Sequence, residues 1–119
     1  MKEIIKNRTK KFASDCWHLC AKFPISREYN AYCNQLIRCS SSVGANYRAA
    51  CRAKSDADFL NKLKIVEEEA DESMYFIELL IEVSNKEEIE LKRLHAEANE
   101  ILSIMVASIK TIRNRNRKS

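Results

Sequence analysis

Apolar side chains recur along this chain at alternating steps of four and three, the spacing of one face of an α-helix. Ile5, Phe12, Cys16, Leu19 and Phe23 form a first stripe, widened by Cys20, that predicts a helix over 2–22. Phe23-Pro24-Ile25 ends it, because the residue before a proline is pushed out of the α region. Ser26 offers a cap and Glu28 suits the positive dipole end of a second helix, 27–52. Its stripe is Tyr29, Cys33, Leu36, Ser40, Val43, Tyr47 and Ala50. Ser55-x-x-Asp58 resembles a capping box and opens a third helix, 56–83, with stripe Phe59, Leu63, Val66, Ala70, Met74, Ile77 and Ile81. Ser84-x-x-Glu87 is a second such box, predicting a fourth helix over 86–113 with stripe Leu91, Leu94, Ala98, Ile101, Met105, Ser108 and Ile112. Four stripes of similar length on short links predict an all-α fold, an antiparallel up-down-up-down four-helix bundle. It forms one domain over 1–119 with a basic C-terminal tail, 113–119.

The third helix departs from the one-stripe rule. Beyond residue 74, Phe76, Leu79, Leu80 and Val83 lie to one side of its stripe, and Tyr75 also points outward. A helix that is apolar all round is covered all round. A patch of three or four large side chains is on the order of 300–600 Å², the size that marks an interaction site. Tyr75, Phe76, Leu79, Leu80 and Val83 are therefore the candidate interface for self-association. Broad wrapping by neighbouring helices is the alternative.

Composition supports helices and narrows function. One glycine and one proline in 119 residues cannot furnish the hairpins of a β-sandwich or barrel. Glycine-rich phosphate loops, dinucleotide fingerprints and nucleophile elbows are excluded on the same ground. Gly44 falls inside the second helix, where it costs about 1 kcal/mol against alanine; close approach of a neighbouring helix explains it there. No apolar run approaches a membrane span, the first residues carry charge instead of a signal core, and a cytoplasmic location is expected. Five cysteines (Cys16, Cys20, Cys33, Cys39, Cys51) form an odd set without Cys-x-x-Cys, so they read as small apolar residues in a reducing compartment.

Catalytic and metal chemistry find no footing. A di-iron site in a bundle needs Glu-x-x-His on two helices; His95 follows Lys92, and Asp15-x-x-His18 has no counterpart. Zinc at Cys16 and Cys20 would need two further ligands. No metal, no cofactor and no enzymatic activity are expected.

Charge is distributed unevenly. Residues 1–11 carry Lys2, Lys6, Arg8, Lys10 and Lys11 against Glu3, and residues 110–119 carry Lys110, Arg113, Arg115, Arg117 and Lys118 with no acid. The remaining 12–109 hold 11 basic and 16 acidic residues, so the body is acidic and both ends are basic. In an up-down-up-down bundle those ends share a pole, which makes the ten cations a candidate nucleic-acid surface. The dipole favours cations at a helix C-terminus and disfavours Lys2 and Lys6 at an N-terminus. The tail has no aromatic residue for stacking, so any contact there is to phosphate and sequence-blind.

The middle of the chain is more specific. Gln35-Leu-Ile-Arg38-Cys-Ser-Ser-Ser-Val43-Gly-Ala-Asn46-Tyr-Arg48-Ala-Ala50, then Ala53-Lys-Ser55-Asp-Ala-Asp58-Phe59 and Lys62-Leu-Lys-Ile65-Val66-Glu67-Glu-Glu-Ala-Asp-Glu72-Ser73, resembles the four-helix-bundle proteins first noticed as reading frames in 23S rRNA intervening sequences. The resemblance spans roughly 10–112. It implies an up-down bundle assembled into homopentamers, with no established enzymatic activity. A more distant branch, the accessory variability proteins of diversity-generating retroelements, is basic, pentameric, and binds nucleic acid and a reverse transcriptase. Arg48-Ala49-Ala50 replaces the acidic residue and glycine of many members, placing this chain in an Arg-Ala-Ala branch. Arg38, Asn46, Arg48, Glu69 and Glu72 flank the stripes of the second and third helices. Height across the intervening turn pairs Arg38 with Glu69 and Gln35 with Glu72, a structural set that fixes register. Two functions stand: an oligomer that binds RNA or DNA backbones, with or without a protein partner, and a structural or protein-interaction oligomer kept soluble by its basic pole.

Overall fold

The computed structural model describes residues 1–118, the Lys118 side chain excepted. Four helices follow in order: α1 (Lys2–Cys20), α2 (Arg27–Ala50), α3 (Asp56–Val83) and α4 (Glu88–Lys118). No strand occurs among the described residues. Each helix packs on its chain neighbours and α1 closes against α4, giving a rod of 53 × 22 × 21 Å.

The stripes predict the core, with informative shifts. In α1 the buried set is Ile5, Thr9, Phe12, Cys16, Leu19 and Cys20. Thr9 fills the seven-residue gap because its hydroxyl donates back to the Ile5 carbonyl (2.9 Å), which lets it enter the core. In α3 the buried set runs Leu63, Val66, Ala70, Ser73, Ile77, Leu80. Strict alternation of three and four selects Ser73 and Leu80 over Met74 and Ile81, which are half-buried at the flanks. The Ser73 hydroxyl donates to the Glu69 carbonyl (2.8 Å) and is thereby satisfied. In α4, Ile109 takes the buried place predicted for Ser108.

Helix ends follow their caps. Ser26 and Ser55 accept from the amides of Tyr29 and Asp58, both at 3.1 Å. The first two helices stop at Cys20 and Ala50, two residues before their predicted ends, in single tight turns. Ser84 does not cap α4: its hydroxyl accepts from Lys86 (3.0 Å) inside the link. The helix begins at Glu88, after Glu87 adopts φ 56°, a left-handed conformation that a glutamate adopts only at a cost. At the other end α4 runs through Lys118, so the segment from Arg113 onward is helix and not a tail; Ser119 lies outside the described residues.

Gly44 faces the α1 backbone. A methyl group placed on it would lie 3.4 Å from the Thr9 carbonyl oxygen. The α2 backbone therefore runs close to α1, as expected from the glycine's position, at a distance that still leaves room for a methyl. No helix among the described residues is long and apolar enough to cross a membrane.

Candidate functional site

The ten predicted cations do not form one cluster; the helices carry them to different sides. On α1, Arg8 faces α4 and donates to both oxygens of Glu97 (2.7 and 2.9 Å). Lys11 pairs with Asp15 at 3.2 Å, and Lys6 with Glu3 at 3.2 Å. These three are spent on acids within the bundle. Lys10 has no partner among the described residues and borders a shallow groove between α1 and α2, floored by Ala13, Ser41, Gly44 and Ala45, with Arg48 across it. Lys2 lies over the ring of Phe59, 5.1 Å from its centroid.

On α4 the outcome differs. Arg115 turns toward α3 and reaches Asp56 at 3.4 Å. Lys110, Arg113 and Arg117 recur at three and four along another face, where they line a shallow recess with Glu67, Val106 and Ile109. None of the three closes an ion pair among the described residues. The Lys118 side chain lies outside the described residues. The cationic surface is thus a ridge on α4, with Lys2 and Arg115 at the bundle end beside it. Lys54, in the α2–α3 link, joins that end and went unnoticed in the sequence. Antiparallel topology carries the signal for it, since the second and third helices meet at the pole where the first begins.

Elsewhere α1 is joined to α4 by ions. Arg93 donates to Glu90 (2.7 and 2.8 Å) and to Asp15 (3.0 Å), and Lys22 approaches Glu87 at 3.6 Å. Burial alone would raise the Asp15 carboxyl, but hydrogen bonds from Arg93 and Lys11 outweigh it and hold Asp15 below its ordinary value. Arg93 likewise holds Glu90 down. The Glu97 hydrogen bond raises Arg8 further above its usual range.

The motif residues divide. Arg38 spans both acids of α3, Glu69 at 3.3 Å and Glu72 at 2.7 Å, and also donates to Gln35 at 3.2 Å. Gln35 therefore reaches Glu72 through Arg38 and not directly. Glu69 is only 14% exposed, so the fork ties α2 to α3 at the rim of the core. Arg38 draws the Glu72 carboxyl below the ordinary range. The Asn46 amide donates to Ser42 on its own helix (2.9 and 2.8 Å). Arg48 is exposed, beside Lys10 in the α1–α2 groove.

The outward stripe on α3 is narrower than predicted. Leu80 is 0% exposed and belongs to the chain's own core, because the alternation of the buried stripe passes through it. Tyr75 and Val83 are both 56% exposed, and Phe76 and Leu79 are half-buried. Phe76 rests near Tyr75 (5.5 Å) and near Tyr32 of α2 (6.2 Å). Tyr29, Tyr32 and Val83 border one apolar recess. The patch thus straddles two helices, and its α2 half was concealed because Tyr29 sat in the predicted core stripe.

Among the described residues, no group of three or more His, Cys, Asp or Glu is placed to hold a metal ion. Cys16, Cys20, Cys33 and Cys39 are buried thiols and Cys51 is half-buried. Burial pushes Cys16 up to about 12, and burial also raises Cys39.

Comparisons agree with this architecture. The family model described as 23S rRNA-intervening sequence protein matches residues 1–107. Among solved structures, the chain is similar to a protein of unknown function from the S23 ribosomal protein family of Bacteroides thetaiotaomicron. That similarity has a TM-score of 0.84 and 32% identity, over 92% of this chain and 99% of that one. No curated protein matches the chain.

Proposed function

From the premise that this chain belongs to the 23S rRNA-intervening sequence protein family, we propose that it is a non-catalytic, self-assembling bundle that holds nucleic-acid backbones along α4. The observation that carries the reading is the trio Lys110, Arg113 and Arg117: three cations on one helix face, with Glu67 the acid bordering their recess and no ion pair closed among the described residues. Phosphates spaced along a strand suit such a ridge, and nothing in it reads base edges. Assembly multiplies the field by repeating the ridge. The exposed Tyr75 and Val83, with the half-buried Phe76 and Leu79, supply an apolar surface for self-contact. Five copies is the number the family resemblance implies. Buried thiols used as packing suit a reducing, cytoplasmic setting.

Titration of the full-length protein with duplex RNA and DNA at 50 and 200 mM salt tests the binding. Three phosphate contacts per protomer predict about 40-fold weaker binding at the higher salt. Replacing the trio together by glutamine should abolish most of that dependence. Binding that ignores both salt and the triple replacement sinks the reading. A structural oligomer without nucleic-acid binding is favoured instead by the ion pairs of Lys6, Arg8, Lys11 and Arg115, which use predicted surface cations internally.

A further inference from the structure

At the bundle end where α1 and α3 begin, a cleft of about 730 Å³ opens among all four helices. That volume falls in the range of small-molecule sites. Small side chains such as Ala50 and Ala107 leave the room, because α2 has stopped at Ala50 while α4 continues past it. The walls carry Lys2, Lys54 and Arg115, and the half-buried ring of Phe59. Asp56 is the acid on the wall, and Arg115 already engages it at 3.4 Å. Three cations against one carboxylate leave the cleft positive, and an aromatic ring stands among them.

The geometry points to a subsite for a nucleoside monophosphate, free or as the terminal unit of a strand. In the strand-end form it deepens the backbone-binding function proposed above and rests on it. Phosphate meets Lys54 and Arg115 through charge-assisted hydrogen bonds, and the base meets Phe59. Lys2 now covers that ring at 5.1 Å. An exposed cation–π contact is weaker than the stacking of a base on an aromatic side chain. The base therefore displaces the ammonium, and the freed Lys2 becomes a third cation for the phosphate. Adenosine alone lacks the anion, and inorganic phosphate alone lacks the ring.

Full-length, isotopically labelled protein titrated with AMP, adenosine and inorganic phosphate tests this by NMR. AMP is expected to move the amides of Ala53, Lys54 and Phe59, and to bind at least about tenfold more tightly than either fragment. Phe59→Leu should weaken AMP by about fivefold or more. Arg115→Gln, at an exposed position, should weaken it without altering the helical spectrum. The glutamine replacements of Lys110, Arg113 and Arg117 should leave AMP affinity unchanged, which separates the cleft from the ridge. Tighter binding of a 5′-phosphorylated oligonucleotide than of its 5′-hydroxyl twin assigns the strand end; equal binding with AMP retained assigns the free nucleotide. The subsite is overturned if AMP moves no cleft amide, or if Phe59→Leu and Arg115→Gln both bind AMP as the parent does. Loss of ridge-dependent oligonucleotide binding with AMP binding intact overturns only the backbone function.

Discussion

Gly44 sits where two helix backbones touch, and the clearance decides what can replace it. A methyl would meet Thr9 at ordinary van der Waals distance, so Gly44→Ala should be neutral or raise stability by up to about 1 kcal/mol through helix propensity. Gly44→Val would force α1 and α2 apart and should cost about 1–3 kcal/mol; urea melts of both variants measure the difference. Glu87 presents the opposite case, a side chain where glycine suits the backbone. Glu87→Gly should gain roughly 0.5–1 kcal/mol, the left-handed strain exceeding the added chain entropy. The thiols offer a third check. With Cys16 pushed up to about 12 and the other three buried, a thiol reagent at pH 8 should modify only Cys51 in the native protein and all five in denaturant. Rapid native labelling of several thiols would contradict the packing role. Residue identity was legible where chemistry matched position, as at Leu36, Val43 or Leu94. It was illegible at Thr9 and Ser73, polar residues that enter the core by donating to their own helix backbone.

Elements were legible from periodicity, and their boundaries from caps only where a cap hydroxyl was used as expected. Ser26 and Ser55 behave so; Ser84 diverts to the link, and α4 starts two residues late. The far end of α4 carried too little apolar signal to distinguish helix from tail, since Ile112 is its last buried residue. Ion pairs line the α1–α4 side, and a pH dependence follows. Asp15 and Glu90 lie below their ordinary values in the fold, so each contributes stability above the unfolded carboxylate range, near 4. That contribution is lost as pH falls through the lowered folded values. Stability measured in urea from pH 7 to 3 should therefore drop through the acid range, and Asp15→Asn should flatten the drop. An unchanged slope in the variant would show that other carboxylates carry it.

For the whole molecule, the bundle was legible because every helix buries one stripe against two adjacent helices. The candidate cationic site was legible only as a count. Lys6 and Lys11 pair locally with Glu3 and Asp15, but whether Arg8 and Arg115 remain free depends on Glu97 and Asp56 arriving from distant sequence, which no local pattern encodes. The proposed self-association likewise rests on a patch joining α2 to α3. Light scattering at micromolar concentration should give a mass five times the 13.8 kDa chain, and Tyr75→Glu with Val83→Glu should reduce it to one chain while the helical spectrum persists. A monomeric parent would refute the assembly.

The side of the bundle closed by α1 and α4 also carries a consequence for how the chain finds its structure. Arg8 and Glu97 are 89 residues apart, so their meeting closes nearly the longest loop available, whereas α1 with α2, α2 with α3 and α3 with α4 pair across short links. Loop entropy orders these events: the local hairpins are expected in the folding nucleus, with the α1–α4 seam closing afterwards. Replacing Arg8 should then quicken unfolding while leaving the folding rate nearly unchanged, the kinetic signature of a contact made late. Stopped-flow measurement of both limbs would reveal the α1–α4 seam as the part of this rod that closes last and opens first.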